Sequence, residues 1–182
     1  PLVTLFQQVR HCEINNIPGD YVECGVWKGG SVGLMALANV KFAQKRRDIH
    51  MFDIFDDICE PDPTVDGDFA INQVAELAGV DRKSLKGRLR TVKGVYNSHG
   101  GPGTVETVKQ LLEDEIGYDE KFLHYHKGWL QETLPNVAKE IADISILRLD
   151  CDLYASTKVC LDFLYNKLVL GGFIIIDDYG TY

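Results

Sequence analysis

Tyr21-Val22-Glu23-Cys24-Gly25-Val26-Trp27-Lys28-Gly29-Gly30-Ser31 runs from an apolar segment into a glycine turn. A helix should follow from residue 30 or 31 to about 42, with Val32, Leu34, Met35, Leu37 and Ala38 on its apolar face and Ser31 as N-cap. A strand that turns through glycines into a helix is the opening of a βαβ unit, so the stretch predicts an α/β fold with a parallel sheet. The spacing Glu23-x-Gly25-x-x-x-Gly29-Gly30-Ser31 lets the backbone close on a ligand, but it departs from the G-x-G-x-x-G of dinucleotide-binding turns. An acid ending such a strand points to an amine- or ribose-bearing nucleotide-like ligand; the alternative is a plain strand–helix turn.

Strand and helix patterns alternate outward from this turn. Strands are predicted at 50–55, 89–93, 122–126, 144–149 and 173–176, and helices at 69–77, 105–115 and 156–168, the last capped by Gly171-Gly172. Residues 131–138 are predicted to be irregular because Pro135 limits any helix. The length of 182 residues, 45% hydrophobic and 25% charged, fits one domain, 1–182. The chain starts at Pro1 and stops at Tyr182, soon after a strand that would be an apolar edge, so it is expected to be cut at both ends and the edge to be covered by further chain or a partner subunit, as in a homo-oligomer.

Nineteen basic against twenty-seven acidic residues give a net charge of −8, which disfavours nucleic acid or an anionic membrane as partner and favours a small molecule. With no apolar stretch near the roughly 20 residues of a membrane span and no signal-peptide pattern, a cytosolic location is expected. The five cysteines, Cys12, Cys24, Cys59, Cys151 and Cys160, form no CxxC pair and read as free, packed thiols. Lys45-Arg46-Arg47 falls just past the first predicted helix and reads as a solvated cluster at the helix's negative end.

Acids close three of the predicted strands: Asp53, Asp150, and the pair Asp177-Asp178. In an open parallel sheet the ligand crevice lies outside the carboxyl ends of the strands, so Asp150, Asp177 and Asp178 should converge and hold a hard cation between them. Asp53 is placed to accept hydrogen bonds from ribose hydroxyls, or else caps a turn. The stretch 62–68 imitates a calcium loop, but Gln73 stands where a bidentate glutamate is required, so it reads as a solvated loop over the cleft. His124 and His126 share one strand face, and Trp129 could stack on an aromatic ring or fill the core.

Four ordered blocks carry a family resemblance: 19–31; Lys127-Gly128-Trp129 with Thr133-Leu134-Pro135; 147–157, which contains Asp150-Cys151-Asp152; and 171–180, which contains Asp177-Asp178. Together they resemble the macrocin O-methyltransferase (TylF) family. The resemblance implies a Rossmann-like class I methyltransferase fold, a mostly parallel central sheet flanked by helices and here lacking its C-terminal strands. It also implies S-adenosylmethionine as methyl donor, Mg2+, and a hydroxyl acceptor on a small sugar-bearing or polyhydroxylated metabolite. Carried over by residue, it puts the donor's amino-acid end near Glu23, Gly25, Lys28, Gly29, Gly30 and Ser31, its ribose on Asp53, and its adenine beside Lys127, Gly128 and Trp129. Asp150, Asp177 and Asp178 become metal ligands, with Asp150 also the catalytic base. The competing readings are a nicotinamide-dependent Rossmann oxidoreductase, which leaves the three acids without a role, and a ligand-binding fragment without catalysis.

Overall fold

The computed structural model describes residues 2–177 and 179. Five parallel strands form one sheet in the order β3-β2-β1-β4-β5: β1 Asp20–Cys24, β2 Ile49–Asp53, β3 Leu123–Lys127, β4 Ile144–Leu149 and β5 Leu168–Ile176. Helices α1 (Leu2–Ile14), α2 (Gly30–Phe42), α3 (Asp68–Ala78), α4 (Val105–Lys109, continued by a π-helical stretch Gln110–Glu115), α5 (Leu130–Val137) and α6 (Tyr154–Leu164) complete it. No helix among the described residues is long and apolar enough to cross a membrane.

The three central strands are buried on both faces, as a parallel sheet covered on both sides requires. Tyr21, Ile49, Met51 and Ile146 pack with Leu5, Val9, Val32 and Met35 of α1 and α2. On the opposite face, Val22, Phe52, Leu147 and Leu149 pack with Leu134 of α5 and Cys160 and Leu164 of α6. A satellite cluster joins Ile71, Val74 and Ala75 of α3 to Leu85, Val92 and Val95. β5 is an edge strand, and its Leu170 is 99% exposed.

Several local expectations are corrected. Residues 89–93 form no strand; Thr91 makes only an isolated antiparallel bridge with Cys59. Residues 130–137 are helical despite Pro135, because Leu134 is buried in the α5–α6 core and that packing outweighs one missing hydrogen bond. Gly171 and Gly172 do not cap α6. They lie inside β5, where Gly171 has φ +86° and a Cβ on Gly172 would approach Ser145 O to 2.8 Å. The N-cap of α2 is Gly29 in the left-handed region, and Ser31 sits within the first turn. Helix α1 was not foreseen, although Leu5, Val9 and Cys12 mark its buried stripe. Arg47 is not a solvated cation: its Nε donates to Glu13 Oε1 at 2.6 Å, and its side chain is only 14% exposed. All five cysteines are free, and Cys12, Cys24 and Cys160 are buried.

Candidate active site

The hydrogen-bond ladder continues past the strand ends and sets the loops in step across the carboxyl edge of the sheet. Gly128 N donates to Asp53 O, Gly25 N to Phe52 O, Asp150 N to Cys24 O and Asp177 N to Leu149 O, all at 2.9–3.0 Å. This brings the turns after β1, β2, β3 and β4 to one crevice, the usual ligand position of an open α/β sheet. A cavity of about 240 Å³ opens there, lined by Gly25, Trp27, Asp53, Gly128, Trp129 and Asp150 among others. Gly25 is required by contact: it has φ +83°, and a Cβ there would fall 1.9 Å from Asp150 O. Three non-glycine residues in the left-handed region, Trp27, Phe55 and Asp152, follow β1, β2 and β4. Backbone strain of this kind clusters at ligand sites.

The acids meet around a residue that sequence reasoning passed over. Arg148, next to the carboxyl end of β4 and paired in register with Glu23, is the charged residue of a strand that is buried throughout. Its Nη1 donates to Glu23 Oε1 at 2.5 Å and to Asp150 Oδ2 at 2.8 Å, and its Nη2 lies 2.9 Å from Asp177 Oδ2. Arg148 and Glu23 are 8% and 1% exposed, whereas Asp150 and Asp177 are about a third exposed. Burial pushes the Glu23 carboxyl up, to about 8, against the pull of the Arg148 guanidinium. Arg148 itself is held above the ordinary arginine range, its carboxylate neighbours outweighing its burial. Glu23 Oε2 is buried and has no hydrogen-bond partner among the described residues.

The structure therefore brings Glu23, Asp150 and Asp177 together around a guanidinium; Asp178 lies outside the described residues. Among the described residues no three histidine, cysteine or acidic side chains are grouped as a metal site. The hard oxygens of Asp150 and Asp177, both partly open to solvent, suit a hard divalent cation in donor type.

Asp53 borders the cavity but also holds the first turn together. Its Oδ2 accepts the Val26 and Trp27 N–H groups at 2.6 and 2.9 Å, and its Oδ1 accepts Phe55 N–H at 2.6 Å. Burial pushes its carboxyl up, and these backbone N–H groups pull against that shift. Lys28 points to a neighbouring loop, where Nζ donates to His99 O at 2.6 Å and Gly100 O at 3.2 Å. Lys127 is exposed, while Gly128 and Trp129 line the cavity. The 62–68 loop satisfies its own acids: Asp62 Oδ1 accepts from Thr64, and Asp66 accepts from Asp62 N and Tyr154 N. His126 is not at the site but packs on Phe52, in a stack with His50 and His124. Tyr96, Asp57 and Asp152 line the cavity and were not foreseen, because they come from irregular loops without a periodic signal.

Strand order, crevice and acid cluster define a Rossmann-like class I methyltransferase architecture. The solved O-methyltransferase NovP has this fold, with a TM-score of 0.71 and 30% identity over 97% of this chain and 63% of its own. The calicheamicin methyltransferase CalS11 shares the fold at 22% identity and TM-score 0.64, over 98% of this chain and 63% of its own. The macrocin-O-methyltransferase (TylF) family matches residues 2–92 and 104–182, and the chain belongs to that family. It is 35% identical over 165 residues to the demethyldecarbamoylnovobiocin O-methyltransferase of Streptomyces niveus, covering 91% of this chain and 54% of that protein. It is 32% identical over 179 residues to the mycinamicin III 3''-O-methyltransferase of Micromonospora griseorubida, covering 94% of this chain and 61% of that protein. The chain thus spans little more than half the length of these relatives.

Proposed function

We propose that the protein moves a methyl group from S-adenosylmethionine to a hydroxyl of a small sugar-bearing or polyhydroxylated metabolite, with Mg2+ as the working ion. The observation that carries this reading is the meeting of Asp150 and Asp177 on Arg148 beside the Gly25 turn, at the cavity of a chain from a methyltransferase family. The named relatives, a demethyldecarbamoylnovobiocin O-methyltransferase and a mycinamicin III 3''-O-methyltransferase, support the acceptor class. Family membership sets the nicotinamide-dependent alternative aside.

In this reading Gly25 and the turn 28–31 border the donor's amino-acid end, with Glu23 beneath them. Asp53 shapes the ribose subsite through the Val26 and Trp27 amides it fixes, and Gly128 and Trp129 border the adenine. Lys28 acts through the loop it holds. S-adenosylmethionine supplies an electrophilic methyl on a sulfonium, so the protein's task is alignment and proton removal. Asp150 takes the hydroxyl proton as the acceptor oxygen bonds to the methyl carbon and the methyl–sulfur bond breaks, leaving a thioether and a methyl ether. Asp150, Asp177 and Asp178 would hold Mg2+, which offsets their charge and acidifies a bound hydroxyl. With a net charge of −8 the partner is a small molecule rather than nucleic acid or an anionic membrane, in the cytosol.

The test incubates the protein with donor, Mg2+ and a panel of glycosylated hydroxyl compounds, and reads products by mass spectrometry. Gain of one methyl on an oxygen is expected. Absence of any methylated product together with absence of donor binding would overturn the reading.

A further inference from the structure

A second cavity of about 260 Å³ adjoins the first. Its lining is mainly apolar, with Trp27, Ile58, Val74, Leu77, Val95 and Tyr96 beside the polar Gln73, His99 and Asp152. Trp27 and Tyr96 also line the first cavity, and their rings lie 5.8 Å apart at 33°, so this pair stands between the two spaces. Trp27 holds a left-handed backbone (φ +48°) and is 41% exposed, and Leu77 is 40% exposed. A tryptophan held in strain and left open at a cavity mouth is placed for a ligand rather than for the core.

The Val95–Tyr96 wall belongs to residues 93–103, which fall between the two stretches matched by the family. That segment is nevertheless built in. Buried Asp57 accepts Gly94 and Tyr96 N–H at 3.0 and 3.3 Å, Lys28 Nζ donates to His99 and Gly100 O, and Trp27 Nε1 donates to Gly101 O at 3.3 Å. A Cβ on Gly103 would fall 1.7 Å from Trp27 O, so the strap and the first turn touch backbone to backbone. A segment outside the family's shared pattern, fastened to the turn that borders the donor cavity, is where acceptor choice would be written.

We infer that the cavity between α3 and the Trp27–Tyr96 pair receives a planar apolar ring system of the acceptor, leaving its hydroxyl at the Asp150 end of the first cavity. This rests on the methyl-transfer reading above. A cavity of about 150 Å³ accommodates one benzene ring, so this one suits two fused rings. Asp152 and His99 at its lining provide a polar edge for substituents on the rings.

The test measures binding of the neutral naphthalene fluorophore Prodan, and of S-adenosylhomocysteine by calorimetry, to the wild-type protein and to Leu77→Asp and Leu77→Trp. Leu77 is partly exposed, so neither change threatens the fold. Saturable dye binding is expected in the wild type, persisting with homocysteine derivative bound and weakened about tenfold or more in both variants. S-adenosylhomocysteine affinity should change by less than about twofold in either. Dye binding that ignores both substitutions, or that S-adenosylhomocysteine abolishes, overturns the ring site. Loss of S-adenosylhomocysteine binding in the wild type with the dye pattern intact sinks the methyl-transfer reading and leaves the ring site standing.

Discussion

Replacing Arg148 by methionine removes the guanidinium from three carboxylates at once while keeping most of the side chain's volume. The pair with Glu23 dominates, because both groups are almost wholly buried. Because the Glu23 carboxyl is pushed up to about 8, the pair is fully charged only above that pH; in unfolding measured there, breaking it from one side costs about 3–5 kcal/mol, since the remaining charge must be neutralised or left unpaired. Asp150 and Asp177 are a third exposed, so water screens them and each pair adds at most about 1 kcal/mol. For a chain of this size each kcal/mol moves the melting temperature by about 2–4 °C, so Arg148→Met should melt at least about 6 °C lower. Thermal and urea unfolding followed by circular dichroism would measure this. The double variant Glu23→Leu/Arg148→Met should regain most of the loss, because exchanging a whole buried pair for apolar groups is close to neutral. A single variant within about 1 kcal/mol of the wild type, or a double variant less stable than the single, would refute the assignment of Arg148 as the charge that holds the cluster together.

Gly25→Ala should cost about 1–3 kcal/mol in urea unfolding, from the left-handed φ and the contact with Asp150 O; unchanged stability would show that the β1 and β4 turns separate easily. Burial, with His50 and His124 close by, holds His126 down at about 4 against an ordinary 6.5. The unfolded chain then binds a proton that the folded one refuses, so the contribution of His126 to stability should be constant above pH 6.5 and fall as the pH drops toward 4, with the raised Glu23 carboxyl adding a slope of opposite sign. His126→Gln should remove that contribution; an unaltered slope would remove His126 as its source. On the proposed reading, chelator should abolish methyl transfer and Mg2+ restore it, and Asp150→Asn should lose more turnover than Asp178→Asn, because only the first would remove a ligand and the proton acceptor together. Chelator-resistant turnover would remove the metal.

The parallel core was legible because β1, β2 and β4 are short, mainly apolar runs, each followed by a turn, and because α2 is apolar around its circumference while α3 carries a one-sided apolar stripe. Gly25 and the acids Asp53, Asp150 and Asp177 were legible from their place at strand ends. What sequence could not show is which neighbour each acid meets. Asp53 proved to be a tether for the Val26, Trp27 and Phe55 amides, a role set by φ/ψ in two loops rather than by residue type. The expected repulsion among the acids was answered in part by Arg148, whose position inside Ile144–Leu149 was the available signal. A charge in a strand buried on both faces must find a partner, and here it found three. Pro135 misled because a local rule was applied where burial of Leu134 decides, and Gly171-Gly172 misled because a helix cap and a strand irregularity call for the same residue.

On the proposed function, the crevice at Gly25, Asp53 and Trp129 binds the methyl donor. Titration calorimetry of S-adenosylhomocysteine against the wild-type protein and Asp53→Ala tests it most directly. One saturable site is predicted, weakened by about 1–3 kcal/mol in the variant as the Val26 and Trp27 amides lose their acceptor. Absence of binding to the wild type, or equal affinity in Asp53→Ala, would contradict it.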